Sequence, residues 1–151
     1  MKKLLLSFCL LCAFVAVSFA ETPIKLSLWE KIAVPDEDSV CGLEIGIGTY
    51  TSKLVGVGLN FIYSKTDDAK AWQTGIVTIS KQFLGLQTGL LALSEDVTGI
   101  QFGFLNVAKS VSGLQFGLIN MTENMNGIQI GLVNFIKTGK LPVMIIANAK
   151  F

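Results

Sequence analysis

Histidine and arginine are both missing from the 151 residues, and each absence removes a class of function. Without histidine the commonest general base and metal ligand is gone, and no Ser–His or Cys–His nucleophile pair can be assembled. Without arginine the forked donor that grips phosphates and base edges is gone, which disfavours a nucleic-acid role. Cysteine occurs three times, at Cys9, Cys12 and Cys41. Only Cys41 lies beyond the leader described next. An internal disulfide is therefore excluded, and Cys41 reads as a small buried hydrophobe.

The chain opens with Met1-Lys2-Lys3, an apolar run from Leu4 to Val17, and then Ser18-Phe19-Ala20 ahead of Glu21. Basic start, short apolar stretch and small residues before a cut are the parts of a secretory signal peptide. The run is short for an anchor, which needs about 20 apolar residues to span a bilayer. Neither Cys9, after Phe8, nor Cys12, after Leu11, suits a lipoprotein cut. With residues 1–20 removed, ten lysines face eleven acidic residues, so the mature chain is close to neutral. The expected organisation is a signal peptide over 1–20, an N-terminal strand and acidic cap segment over 21–40, and a β-repeat domain over 41–151.

The repeat is the dominant feature. Gly85, Gly99, Gly113 and Gly127 open units of fourteen residues, each followed by Gln at 87, 101, 115 or 129 and a second Gly at 89, 103, 117 or 131. Gln73 and Gly75 keep the phase one unit earlier, and Gly42-Leu43-Glu44-Ile45-Gly46 restates the opening with Glu for Gln. Asn106, Asn120, Asn134 and Asn148 share another phase. Two glycines in five residues exclude helix. Leu114, Phe116 and Leu118 alternate with Gly113, Gln115 and Gly117, the period of a half-buried strand. The apolar phase then shifts to Ile119 and Met121, which predicts a corner near Asn120, a residue suited to tight bends.

An all-β fold follows, and two architectures suit the unit. In a β-solenoid-like stack of fourteen-residue repeats, equivalent residues lie above one another. In an antiparallel meander, each unit is one strand of a small outer-membrane β-barrel. The series Lys81, Glu95, Lys109, Glu123, Lys137 alternates in sign, which has a purpose only in a parallel stack. Nine strand candidates are odd in number, whereas single-chain bacterial barrels are even. The alternation of Val143, Ile145, Ala147 and Ala149 up to Phe151 favours the barrel. The stack is the favoured reading. It places Leu86, Ile100, Leu114, Ile128 and Leu90, Phe104, Leu118, Leu132 in two interior ladders, with amide columns bonding neighbour to neighbour. The segment from Glu21 to Val40 is expected to cover one end and the Leu141-Pro142 unit the other.

The chain resembles a family of bacterial surface-repeat proteins that carry GLQxGLxN units after a signal peptide. Gly113-Leu-Gln-Phe-Gly-Leu-Ile-Asn120 is the clearest copy, and the match covers residues 42–151. The resemblance implies a Gram-negative envelope protein at the cell surface or outer membrane, with outer-membrane or surface components as partners. It carries no catalytic residues to transfer. Asp36-Glu37-Asp38 lacks the spaced ligands and Gly of a calcium loop and reads as a solvated turn. Gly42 to Gly58 matches no phosphate-binding pattern. Asp67-Asp68, in the polar insert Ser64–Lys70, is the loop best placed to meet a partner. No catalytic, cofactor-binding or metal-ligating residue is assigned, no nucleic acid or small-molecule substrate is implied, and the expected function is a non-enzymatic exported scaffold.

Overall fold

The computed structural model describes residues 22–30 and 32–151, so the signal-peptide reading of 1–20 lies outside the described residues. Those residues are all-β, in one open mixed sheet of order β2-β1-β3-β4. The strands are β1 (Thr22–Glu30), β2 (Ile32–Val34), β3 (Ser39–Ile136) and β4 (Val143–Lys150). β3 is 98 residues long, whereas ordinary strands run about 3–10, so it bonds largely to itself.

The spacing of those internal bonds is the repeat length. Gln101 donates to Gln87 at 2.9 Å, Gln115 to Gln101 at 2.7 Å and Gln129 to Gln115 at 2.7 Å. Asn106 donates to Asn120 and Asn120 to Asn134, each at 2.8 Å. Glycine makes this approach possible. At Gly113, φ is +141°, and a Cβ would overlap the carbonyl oxygen of Gly99. Every other residue type resists such a backbone, so the opening glycine is a steric requirement. One unit is longer: the carbonyl of Asn60, rather than a residue fourteen back, faces Gly75, and Thr49 bonds Ser64 at a spacing of fifteen.

The interior corrects the predicted ladders. Leu90, Phe104 and Leu132 are 57%, 55% and 60% exposed, and Ile100, Leu118 and Ile128 are also exposed. Leu86 and Leu114 are half-buried. The five glutamines from Gln73 to Gln129 and Asn106, Asn120 and Asn134 are buried instead. Polar side chains outnumber apolar ones among the buried residues. The main apolar cluster includes Ala69, Phe83, Val97, Val111 and Met125. An amide is costly to bury alone, but a column of amides supplies each member with a partner, and the repeat supplies the column. Adjacent Leu118 and Ile119 are both exposed, so the alternation breaks one residue before Asn120, within a strand that continues to Ile136.

Both ends of the sheet are returns of the chain. β1 runs parallel to the start of β3, with Lys25 opposite Glu44, and β2 folds back antiparallel on β1. β4 runs antiparallel to the end of β3, with Asn148 opposite Gln129. The shared phase of Asn148 with Asn134 therefore does not make it a further member of the Asn column. Its Nδ2 donates to the Leu141 carbonyl. The chain reverses between Ile136 and Val143, where Ile136 N–H bonds the Pro142 carbonyl at 2.9 Å.

Candidate interaction surface

Reading outward from the backbone, each unit presents three kinds of exterior. The residue after the glutamine gives the column Phe102, Phe116, Ile130, and the residue after the second glycine gives Leu90, Phe104, Leu118, Leu132. Between them lie Gly89, Gly103, Gly117 and Gly131, which form the floor of a groove of about 500 Å³. Phe102 and Phe116 stack with ring centroids 5.2 Å apart and planes 3° from parallel, close to the spacing of neighbouring strands. Ile146 of β4 lines the same groove. It is 72% exposed and holds φ at +73°, a conformation strained for a β-branched residue.

A second apolar cleft, about 1120 Å³, lies at the other end among Leu26, Leu28, Ile32, Val34, Ile47 and Phe61. These side chains belong to β1, β2 and the first part of β3, so the folding back of β2 creates the cleft.

The charged exterior sits half a unit away along the chain. Lys109 pairs with Glu95 at 3.2 Å and Lys137 with Glu123 at 3.3 Å, as the alternating series anticipates. Lys81 pairs with Asp67 at 2.9 Å, which extends the series into the insert. Tyr50 donates its hydroxyl to Asp67 at 3.0 Å. The Lys81 bond, helped by that of Tyr50, holds the Asp67 carboxyl below its usual range. In return, the bond to Asp67 raises Lys81 and, separately, Tyr50. Asp67 is thus engaged by its own neighbours, which leaves it poorly placed to recruit a partner.

The acidic run is also tied to the fold. Thr22 donates to the Glu37 carboxyl, Lys25 Nζ to the Glu37 carbonyl at 2.8 Å, and Ser52 N–H to the Asp38 carbonyl at 2.7 Å. Lys25 and Glu44 are both buried, at 2% and 0% exposure. Their link is indirect: Lys25 donates to the Thr51 hydroxyl at 3.3 Å, and Thr51 donates to Glu44. Thr49 and Asn60 complete the donors to Glu44, at 2.8 and 3.0 Å. Cys41, expected to be buried, is half-exposed and free.

Among the described residues no group of three or more His, Cys, Asp or Glu is placed to hold a metal ion, and no helix is long and apolar enough to cross a membrane. The apolar columns were legible as repeated residues, but their outward direction was not, because alternation alone does not say which face is inside. No family model, curated protein or solved structure matches the chain.

Proposed function

We propose that the chain is a β-solenoid of fourteen-residue turns that serves as a non-enzymatic scaffold, exported to the envelope of a Gram-negative bacterium. The carrying observation is one spacing at two places in the unit: Gln101, Gln115 and Gln129 each donate to the glutamine fourteen residues earlier, and Asn106 and Asn120 each donate to the asparagine fourteen residues later. An antiparallel meander pairs residues about a turn, so the separation of bonded partners changes along each strand. A constant separation supports a parallel stack. Envelope localisation draws on the predicted signal peptide and the family resemblance. A scaffold role draws on the surface, where repeated apolar and charged columns replace any convergent polar site.

A second reading, an integral outer-membrane barrel acting as a small channel or anchor, draws on the outward Phe102, Phe104 and Leu132 and the inward glutamines. That inside-out pattern is the one such barrels use. Fractionation separates the two. A peripheral solenoid leaves the outer membrane in alkaline carbonate or urea and migrates identically on heated and unheated gels. Retention in the membrane together with a heat-dependent shift would overturn the solenoid scaffold in favour of the barrel. Recovery in the cytoplasm would overturn export.

A further inference from the structure

The groove floored by Gly89, Gly103, Gly117 and Gly131 lies beside a ridge, the column from Leu90 to Leu132, and the two run together across four units. The lining side chains are all hydrocarbon. A pocket for a polar small molecule carries at least a few oriented polar groups, and this one carries none on its side chains. Its occupant is therefore an apolar surface.

We propose that this occupant is a second copy of the chain, packed about a two-fold axis parallel to the columns, with the ridge of each copy seated in the glycine groove of the other. Three observations carry it. First, ridge and groove are adjacent and share one repeat of about 4.8 Å along the column. An axis set midway between them places each ridge over the opposite groove, which is the self-complementarity that an isologous interface needs. Second, the size fits. Eight side chains between 36% and 72% exposed border the groove, from Leu90 to Ile146. At about 150–250 Å² for an aromatic side chain and less for Leu and Ile, they expose at most on the order of 800 Å² of apolar surface, an upper bound that reaches the share one partner buries in a standard interface. Third, Ile146 closes one end of the groove from a strained backbone while 72% exposed. Nothing in the single chain offsets that strain by burial, and a ridge seated in the groove would.

The charges favour a protein partner over a lipid surface. Anionic lipid attracts a basic rim. Here Lys109 and Lys137 lie half a unit away, each neutralised by a glutamate of its own column.

The test is the mass in solution of the chain as its cells produce it, purified without detergent and measured at micromolar concentration by sedimentation equilibrium. The expected result is two chains per particle. Phe104→Lys, which puts a charge on the ridge, is expected to give one chain per particle with an unchanged circular dichroism melt. Leu84→Lys, at a residue 50% exposed and away from the groove, is expected to stay dimeric. If Phe104→Lys does not fold, Phe104→Ser takes its place, with an expected dissociation constant at least tenfold weaker. A single-chain parent, a ridge variant that dimerises as tightly as the parent, or a Leu84→Lys chain that is monomeric would each overturn the proposal. So would a parent that floats as a monomer with phosphatidylethanolamine–phosphatidylglycerol vesicles, which would assign the face to lipid.

Discussion

Gln115 donates from Nε2 to Oε1 of Gln101 at 2.7 Å and accepts at its own Oε1 a bond of equal length from Gln129. Each amide from Gln73 to Gln115 is both donor and acceptor, so the column polarises along its length. The asparagine column runs the other way, Asn106 donating toward Asn120 and Asn120 toward Asn134. The two lines of amide dipoles therefore oppose one another. The buried acceptors left without a donor include Gln129 Oε1 and Asn106 Oδ1, one at the end of each line.

Replacing Gln115 by Met keeps the volume but leaves the Gln101 carbonyl oxygen buried without its donor. The expected loss is about 1–3 kcal/mol, read from the urea midpoint at constant m-value. A variant as stable as the parent would mean that the column contributes no net stability.

That inversion marks the limit of the sequence reading. The period, the glycines and the phases of Gln115 and Asn120 are visible because repetition is a property of the letters. The direction of Leu118 is not. The rule that apolar residues go inside assumes that buried amides lack partners, and a repeat of amides removes the assumption. The reversal of β4 was hidden for a related reason: Asn148 keeps the numerical phase of Asn134, while the bend that turns the strand around depends on residues 137–142. The groove escaped because it exists only between neighbouring units.

Gly113→Ala tests the backbone. The new methyl would overlap the Gly99 carbonyl oxygen, and alanine resists a φ of +141°. A loss of at least about 2 kcal/mol is expected from the combined strain. Gly75→Ala is the comparison, since its Cβ would stand 3.3 Å from the nearest oxygen at an ordinary φ. It is expected to unfold at a clearly higher urea concentration than Gly113→Ala. Equal midpoints would count against the steric account.

Lys25→Met should act locally. Nζ serves the carbonyls of Glu37 and Tyr50 at 2.8 and 2.9 Å, and methionine serves neither. Loss of these bonds is expected to loosen β1 from the start of β3. Hydrogen exchange should quicken over Thr22–Glu30 and stay slow over 99–131. A uniform change in protection would point to global destabilisation instead.

Lys109→Met, by contrast, removes an exposed pair, Lys109 being 66% exposed at its side chain. The expected change is below about 1 kcal/mol and vanishes in high salt. A larger, salt-resistant loss would show that the charged column is cooperative.

The Tyr50–Asp67–Lys81 cluster gives stability a pH dependence with a definite sign. Asp67 titrates lower when folded, so its contribution is present above the ordinary aspartate range and fades as pH falls through the folded value. Lys81 and Tyr50 titrate higher when folded, so theirs are present below their ordinary values, near 10, and fade as pH rises through the folded ones. Asp67→Asn should flatten both limbs of a plot of melting temperature against pH. Limbs unchanged in the variant would place the dependence elsewhere.

The fourteen-residue bond spacing has a consequence for how such a chain changes length. Excising residues 99–112 would bring Gln115 over Gln87 and Gly113 over Gly85, restoring every interior partner. Removing thirteen or fifteen residues there would set Gln115 against Thr88 or Leu86 and break the glutamine column at the junction. The fifteen-residue unit carrying Asn60 tolerates its extra residue only near the start, where Glu44, Thr49 and Ser64 replace the amide column. Length changes by whole fourteen-residue units within the glutamine-bearing middle are therefore the ones that keep its interior bonds.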